Sequence, residues 1–375
     1  TSDLPQTGTF ITSSALINGI YDIIENSRSG NFMSIPTDCP QRDERLGWTG
    51  DIQVFAKSSL YMNDGLKFLS KYLEDVRNAA LENGSIYDLA PYVKEIANNG
   101  SNIWGDVIVL LPYELYNFYG DIKVLQDNYN TMVNWMKFLF ENVKDGLRIN
   151  YQNSPGDWLS TEKTDLGYLC TMYTLVCSNY VAEISEILGF DGSLYKNKYL
   201  EMKQALLDMY TDGEGRLFQE TATGYAIGIY YDILPKNSGE YLWKLISNRK
   251  NVMSTGYVGT KMLLPVLCKI GHPEKAYELI QSVEYPSWGY MLTHGATSVW
   301  ENWNAITTFY GAKVFHDCSM NSFNHFALGS VVEWFYEYVL GIHLQDIAFK
   351  KVIIKPYITE NAPKWCKGSL KTRNG

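Results

Sequence analysis

From about residue 13 to residue 341 the chain repeats one signal: apolar residues at i, i+3 and i+4 spacing, interrupted by clusters of Gly, Pro, Asn and Asp. Ala15-Leu16-Ile17-Asn18-Gly19-Ile20-Tyr21-Asp22-Ile23-Ile24 sets the pattern. Similar segments follow at 51–62, 66–82, 104–119, 121–143, 166–188, 194–210, 222–234, 239–249, 257–269, 273–282 and 322–341, about twelve helices in all. The links are short, as in Tyr119-Gly120-Asp121, Gly189-Phe190-Asp191-Gly192, Thr211-Asp212-Gly213-Glu214-Gly215 and Gly271-His272-Pro273. Long helices on short links form antiparallel hairpins. Six hairpins can close into a ring whose inner helices surround a pocket. The expected fold class is therefore all-α, an (α/α)6 barrel. No strict internal repeat is present, which argues against an open solenoid.

The texture changes after residue 342. Ile347-Ala348-Phe349-Lys350-Lys351-Val352-Ile353-Ile354-Lys355-Pro356 is β-branched and ends at Pro, so it reads as a strand, and Trp365-Cys366-Lys367-Gly368-Ser369-Leu370 reads as a second. About 30 residues cannot bury a sheet of their own. They either pack on the helical body or open a β-domain. The expected division is a barrel over 1–342 and the start of a truncated C-terminal β-domain over 343–375.

Within this frame, one stretch concentrates charge: Thr37-Asp38-Cys39-Pro40-Gln41-Arg42-Asp43-Glu44-Arg45-Leu46-Gly47-Trp48-Thr49-Gly50-Asp51. Four carboxylates and two arginines surround one Trp, bracketed by Pro40, Gly47 and Gly50. A solvated charge run needs no Trp or glycines, and a core segment would not carry six charges. Pro and Gly place it in a structured loop, with Asp51 at the start of a helix. Carboxylates crowded into a water-poor loop cannot share one proton affinity: like charges raise some pKa values, while arginines and backbone N–H groups lower others. Acid/base chemistry needs such splitting. A salt-bridged loop that only shapes the fold would carry the same residues.

Gly295-Ala296-Thr297-Ser298-Val299-Trp300-Glu301-Asn302-Trp303-Asn304 is a second focus. Trp300 and Trp303 flank Glu301, a setting that raises a carboxyl pKa. The indoles belong either to a sugar subsite or to packing around an interior acid held by backbone N–H groups. A third focus, Met320-Asn321-Ser322-Phe323-Asn324-His325-Phe326-Ala327, opens the last helix, with Asn321 or Ser322 as its cap and His325 as one of five histidines. Trp104-Gly105-Asp106 and Gly156-Asp157-Trp158 are short aromatic–carboxylate units at loop or helix starts, where loops at one end of a helical ring converge. Tyr285-Pro286-Ser287-Trp288-Gly289-Tyr290 reads as a fold-determining turn or a pocket wall.

Other chemistries find no support. No P-loop, dinucleotide fingerprint, GxSxG elbow or HExxH motif is present. The six cysteines, Cys39, Cys170, Cys177, Cys268, Cys318 and Cys366, are scattered without a CxxC pair, which reads as buried free thiols in a reducing setting. A metal site is not expected: His/Cys ligand spacing is missing, and Arg42 and Arg45 partly neutralise the acidic loop that could attract Ca²⁺. No cofactor is expected. A net charge of −9 repels phosphate backbones, so neither nucleic acid nor an anionic membrane is an expected partner. No apolar run reaches a membrane-span length, and no signal peptide opens this sequence. A cytoplasmic or exported protein is expected, and the resemblance given next implies a bacterial one.

The Asp38–Asp51 stretch, read together with Gly295–Asn304 and Asn321–His325, resembles the catalytic domain of the α-L-rhamnosidases of glycoside hydrolase family 78 over roughly residues 10–375. The first motif is long and highly specific. The resemblance implies an (α/α)6 barrel and an inverting glycosidase acting on a rhamnose-containing glycoside. It implies Glu44 as general acid and Glu301 as general base. Asp38, Arg42 and Asp51 match residues that hold rhamnose hydroxyls and tune the acid, Trp48, Trp104 and Trp158 match aromatics of the rhamnose subsite, and His325 matches its histidine. Family members commonly have Arg where this chain has Asn302. They also carry β-domains around the barrel, so the chain looks like an excised catalytic domain. The alternatives are an (α/α)6 hydrolase or lyase for another sugar, and a carbohydrate-binding or inactive fragment.

Overall fold

The computed structural model describes residues 2–94, 96–309, 312–315 and 321–375, with 307–309 and 312–315 described by backbone alone. Cys318 and Met320 lie outside these residues.

Five helices are buried on nearly every side: α2 (Thr49–Met62), α4 (Val107–Tyr119), α6 (Leu166–Ile187), α8 (Ala222–Tyr230) and α10 (Tyr257–Lys269). In α2 every residue except Lys57 is buried, and in α10 every residue except Lys269. Helices apolar all round belong inside a fold. The intervening helices α1 (Ala15–Asn31), α3 (Leu66–Ala79), α5 (Ile122–Glu141), α7 (Ser193–Tyr210), α9 (Ser238–Ser247) and α11 (Pro273–Ile280) each bury one face. A sixth inner rod follows in three turns of changing pitch: 3₁₀ over Ala327–Val331, α over Val332–Trp334 and π over Phe335–Val339. The inner elements touch in the order α2, α4, α6, α8, α10, the 327–339 rod and α2 again. That closure makes an (α/α)6 barrel.

Side chains at the hairpin links fix where helices begin. Ser14, Asp121, Asp165 and Thr221 each accept a backbone N–H in the first turn of α1, α5, α6 and α8. Gly120 ends α4 in the left-handed region at φ 70°.

The structure departs from the periodicity in two places that bear on the site. The last inner rod starts at Ala327 rather than near 322, because residues 321–326 run extended beside 299–301. There Glu301 N donates to Ser322 O at 2.9 Å and His325 N to Val299 O at 2.8 Å. A short helix, α12 (Trp288–Thr293), also follows Pro286, with Ser287 as its cap and Trp288 Nε1 bound to Leu328 O at 2.9 Å.

At the C-terminal end, the strand expected over 347–356 shortens to Val352–Ile354, which pairs with Ile342–Leu344. Ile347–Phe349 is a 3₁₀ turn instead, since Phe349 buries its ring edge-on to Phe118 and Tyr61. Cys366–Leu370 pairs antiparallel with Gly8–Thr12, from Gly8 opposite Leu370 to Thr12 opposite Cys366. Cys366 is thereby exposed, contrary to the expected buried thiol, while Cys39, Cys170, Cys177 and Cys268 are buried and free.

Candidate active site

The acidic loop is stitched to its surroundings at both ends. Asp38 N donates to Leu46 O and Leu46 N returns a bond to Asp38 Oδ1, each at 3.0 Å, so the loop closes on itself. Thr49 N reaches Asp88 O, and Ala90 N reaches Gly47 O, both at 2.9 Å. Between these anchors exposure alternates: Gln41, Asp43 and Arg45 are exposed, while Arg42 and Glu44 are half-buried. Of the four carboxylates in the motif, Asp38, Glu44 and Asp51 enter the interior and Asp43 does not.

Arg42 bridges the two distant acids. Its Nη2 contacts Glu44 Oε2 and lies 3.6 Å from Glu301 Oε2. The indole Nε1 of Trp48 donates to Glu44 Oε1 at 3.0 Å. Glu301 is oriented by Ser322 N, which donates to Oε2 at 2.9 Å. Asn302 reaches Asn321 Oδ1 at 3.3 Å, and Gln41 Nε2 bonds Ser322 Oγ at 2.7 Å, tying the two loops together. Asp51, in the first turn of α2, pairs with His325 Nε2 at 2.9 Å.

These contacts split the proton affinities. Burial and a hydrogen bond to Glu44 push Asp38 up to about 7. Burial also pushes on Glu44, but its bonds from Asp38 and Trp48 and the Arg42 charge outweigh it, leaving Glu44 below its ordinary value. Asp38 and Glu44 thus hold one proton between them near neutral pH, and its affinity belongs to the pair. Burial raises Glu301 against the opposing pull of His325 and Arg42. His325 is raised too: burial disfavours its charge, but Asp51 and the neighbouring acids override that.

One cavity of about 330 Å³ gathers all nine residues singled out by the sequence: Asp38, Arg42, Glu44, Trp48, Asp51, Trp104, Trp158, Glu301 and His325. Its size is at the small end of ligand pockets, ~300–1,000 Å³, which suits one small ring. The aromatic–carboxylate units divide their labour. Trp104 and Trp158 line the cavity, whereas Asp106 accepts from Ile103 N at 2.6 Å and Trp135 Nε1 at 3.0 Å. Asp157 caps α10 through Gly256 N, Val258 N and Gly259 N at 2.9, 2.8 and 3.2 Å. The indoles beside Glu301 are packing, not walls. Trp300 and Trp303 are each 2% exposed and stay off the cavity lining, and Trp303 Nε1 bonds Thr255 O. Pro286 and Trp288 are not among the lining residues either.

Asp88, Asn98, Asn153 and Pro155 also line the cavity. No sequence signal marks them: each is an isolated residue in a long loop. A larger cleft of about 500 Å³ beside Trp243 and His272 shares no lining residue with this cavity and lacks its convergent acids.

Asp38, Cys39 and His325 bring ligand-type atoms within 4.8 Å of one another. Their chemistry fits a metal poorly. His325 Nε2 is held by Asp51, Asp38 Oδ1 is held by Leu46 N, and burial drives the Cys39 thiol far from ionisation.

Residues 5–339 match the family model described as the bacterial alpha-L-rhamnosidase 6 hairpin glycosidase domain. An alpha-L-rhamnosidase of Streptomyces avermitilis is 36% identical over 357 residues, covering 94% of this chain and 34% of that protein. The crystal structure of a Streptomyces avermitilis alpha-L-rhamnosidase complexed with L-rhamnose superposes with a TM-score of 0.94 at 34% identity, over 99% of this chain and 36% of that one. The native α-L-rhamnosidase of Aspergillus terreus gives a TM-score of 0.90 at 30% identity, over 95% of this chain and 43% of that one. The chain thus spans between a third and a half of the length of these relatives.

Proposed function

We propose, from the premise that this chain belongs to the bacterial α-L-rhamnosidase six-hairpin glycosidase family, that its cavity binds one terminal α-L-rhamnosyl residue of a glycoside and hydrolyses its glycosidic bond with inversion. Glu44 is the proposed general acid and Glu301 the general base. What supports these roles most is Arg42, whose Nη2 touches carboxyls from two remote loops inside one small cavity.

In this mechanism Glu44 passes the proton it shares with Asp38 to the leaving oxygen. Glu301 removes a proton from the water that attacks the anomeric carbon. Inverting enzymes hold such carboxyls ~6.5–9.5 Å apart. Bound to one nitrogen, the facing oxygens Glu44 Oε2 and Glu301 Oε2 lie closer together than that span, so in this mechanism Arg42 releases one acid when water enters. An oxocarbenium-like transition state is positive, and the surrounding carboxylates stabilise it. Asp38, Arg42, Asp51 and His325 bind ring hydroxyls. Trp48, Trp104 and Trp158 supply apolar faces for the C6 methyl.

A panel of aryl glycosides tests the substrate class. The α-L-rhamnoside should be cleaved on the order of 100-fold faster than the α-L-fucoside, α-D-mannoside or β-D-glucoside. Cleavage of another sugar in its place would reassign the substrate. A product absorbing in the ultraviolet would mark a lyase, and no release from any substrate would remove the enzyme assignment.

A further inference from the structure

Arg42 cannot fix the spacing of the two acids throughout the reaction, because in the proposed mechanism it releases one of them. A tether that touches neither reacting carboxyl lies one residue away. Gln41 Nε2 donates to Ser322 Oγ at 2.7 Å, across 281 positions of sequence. Ser322 in turn holds the base twice: its N–H donates to Glu301 Oε2 at 2.9 Å, and its carbonyl accepts Glu301 N at 2.9 Å. At the other end of the tether, Gln41 sits in the turn that leads to Glu44, where Glu44 N donates to Arg42 O at 2.8 Å.

The Ser322 hydroxyl gives this bond its direction. Ser322 is fully buried, and a hydroxyl has one proton and two lone pairs. The proton goes to Asn324 O at 3.0 Å, and one lone pair takes Asn324 N at 3.2 Å. The second lone pair takes Gln41 Nε2, so the hydroxyl is complete only while the amide is present. A buried acceptor that loses its donor is unfavourable, which favours a shift of the 321–324 segment. The neighbouring anchors do not replace the amide. Asn31 Nδ2 holds Asn324 Oδ1 at 2.9 Å and Asp51 holds His325 Nε2 at 2.9 Å, both beyond the residue that orients Glu301.

Resting on the reading above, we infer that Gln41 is a positioning residue: it latches the acid-bearing loop to Ser322, and through the Ser322 N–H it keeps Glu301 at its working distance from Glu44 while Arg42 moves. Gln41 is absent from the cavity lining, so it acts through Ser322 and not on the sugar. Misplacing a catalytic group by up to ~1 Å is expensive in kcat. The Ser322 N–H also favours the ionised base, so loosening it raises the proton affinity of Glu301. The other groups that face this charge are Arg42, Cys39, Asp51, Tyr257 and His325, and a change at Gln41 removes none of them.

The test is steady-state kinetics on 4-nitrophenyl α-L-rhamnoside across pH. The proteins are wild type, Gln41→Ala, Gln41→Met (which keeps the bulk and loses the donor), Ser322→Ala and the double variant of Gln41→Ala with Ser322→Ala. Both Gln41 variants should lower kcat on the order of 10-fold and leave KM within about twofold. The acidic limb of kcat/KM, set by Glu301, should move to higher pH, while the alkaline limb, set by Asp38 and Glu44, stays in place. The double variant should lose about as much as the larger single loss, as partners in one bond do. If Ser322→Ala fails to fold, the Gln41 variants carry the test, because Gln41 is exposed and its removal opens no core cavity. Wild-type kcat in Gln41→Met, an unmoved acidic limb, or fully additive losses would each overturn the inference while leaving the functional reading intact. Wild-type protein that leaves the rhamnoside uncleaved would overturn both.

Discussion

At Glu44 two opposing influences meet: burial favours the neutral acid, and Arg42, Trp48 and Asp38 favour the carboxylate. The outcome is a pair, Asp38 with Glu44, that holds one proton near neutral pH. If Glu44 and Glu301 act as proposed, Glu44→Gln and Glu301→Gln each lower kcat on an aryl α-L-rhamnoside by about 10²–10⁴-fold or more. Near-wild-type turnover in either variant removes that residue from its role. The pH profile follows from the same contacts. The base must be ionised, so activity falls as pH drops through the raised Glu301 value. The acid must be protonated, so activity falls as pH rises through about 7, where the pair loses its proton. Asp38→Asn removes the partner that shares this proton and leaves Arg42 facing Glu44 alone, so the alkaline limb of kcat/KM should move to lower pH. An unchanged limb would show that the pair does not supply the proton. These residues were legible in the sequence because most of them sit within one contiguous motif. Asp88 and Asn153 were not, since they reach the cavity only through the path of the loops that carry them.

Helix termini aim the side chains. Gly50 is the clearest case: a Cβ there would lie 2.4 Å from ring atoms of Trp104. Gly→Ala inside a helix ordinarily gains up to ~1 kcal/mol, but overpacking a rigid indole costs ~1–3 kcal/mol, so the steric effect wins. Gly50→Ala should therefore be less stable than wild type and raise KM by displacing the Trp104 wall, as steady-state kinetics and thermal melting would show. Asp157 carries the α10 terminus, while the next residue, Trp158, faces the cavity and accepts Tyr257 N at 3.1 Å. Asp157→Ala frees three N–H groups and should cost ~1–2 kcal/mol as a lost cap, with a rise in KM; unchanged melting and kinetics would contradict that linkage. Periodicity located the helices well, because inner and outer faces impose one spacing. It missed the 321–326 segment, where pairing with the Glu301 loop replaces a helical turn, and the sequence left Trp300 and Trp303 open between subsite and packing, because adjacency in sequence does not tell which side of a loop faces a cavity.

At the scale of the molecule, the closed ring of inner helices gathers the three remote foci at one end and keeps water from the buried acids. That burial has a thermodynamic consequence. Asp38, Asp88 and Glu333 are each raised to about 7, chiefly by burial, and Glu333 is fully buried with its nearest cation, Lys261, at 3.8 Å. Raised carboxyls bind more protons in the native than in the unfolded state, so their contribution is fully present below the unfolded value near 4 and is lost as pH climbs through 7. Glu44 and the exposed Asp191, each held below its ordinary value, act oppositely. The melting temperature should therefore fall between about pH 5 and pH 7.5, and a rise over that window would contradict the burial of these acids. The closure of the ring was readable from helix number and link length, and the C-terminal clasp onto Gly8–Thr12 was not, since pairing across the whole chain leaves no local trace. Inversion requires Glu44 and Glu301 to act from opposite sides of one sugar. Anomer-resolved NMR of the first product released from an aryl α-L-rhamnoside measures that directly. β-L-rhamnose appearing first, followed by slow mutarotation, is the predicted result; α-L-rhamnose appearing first would contradict it.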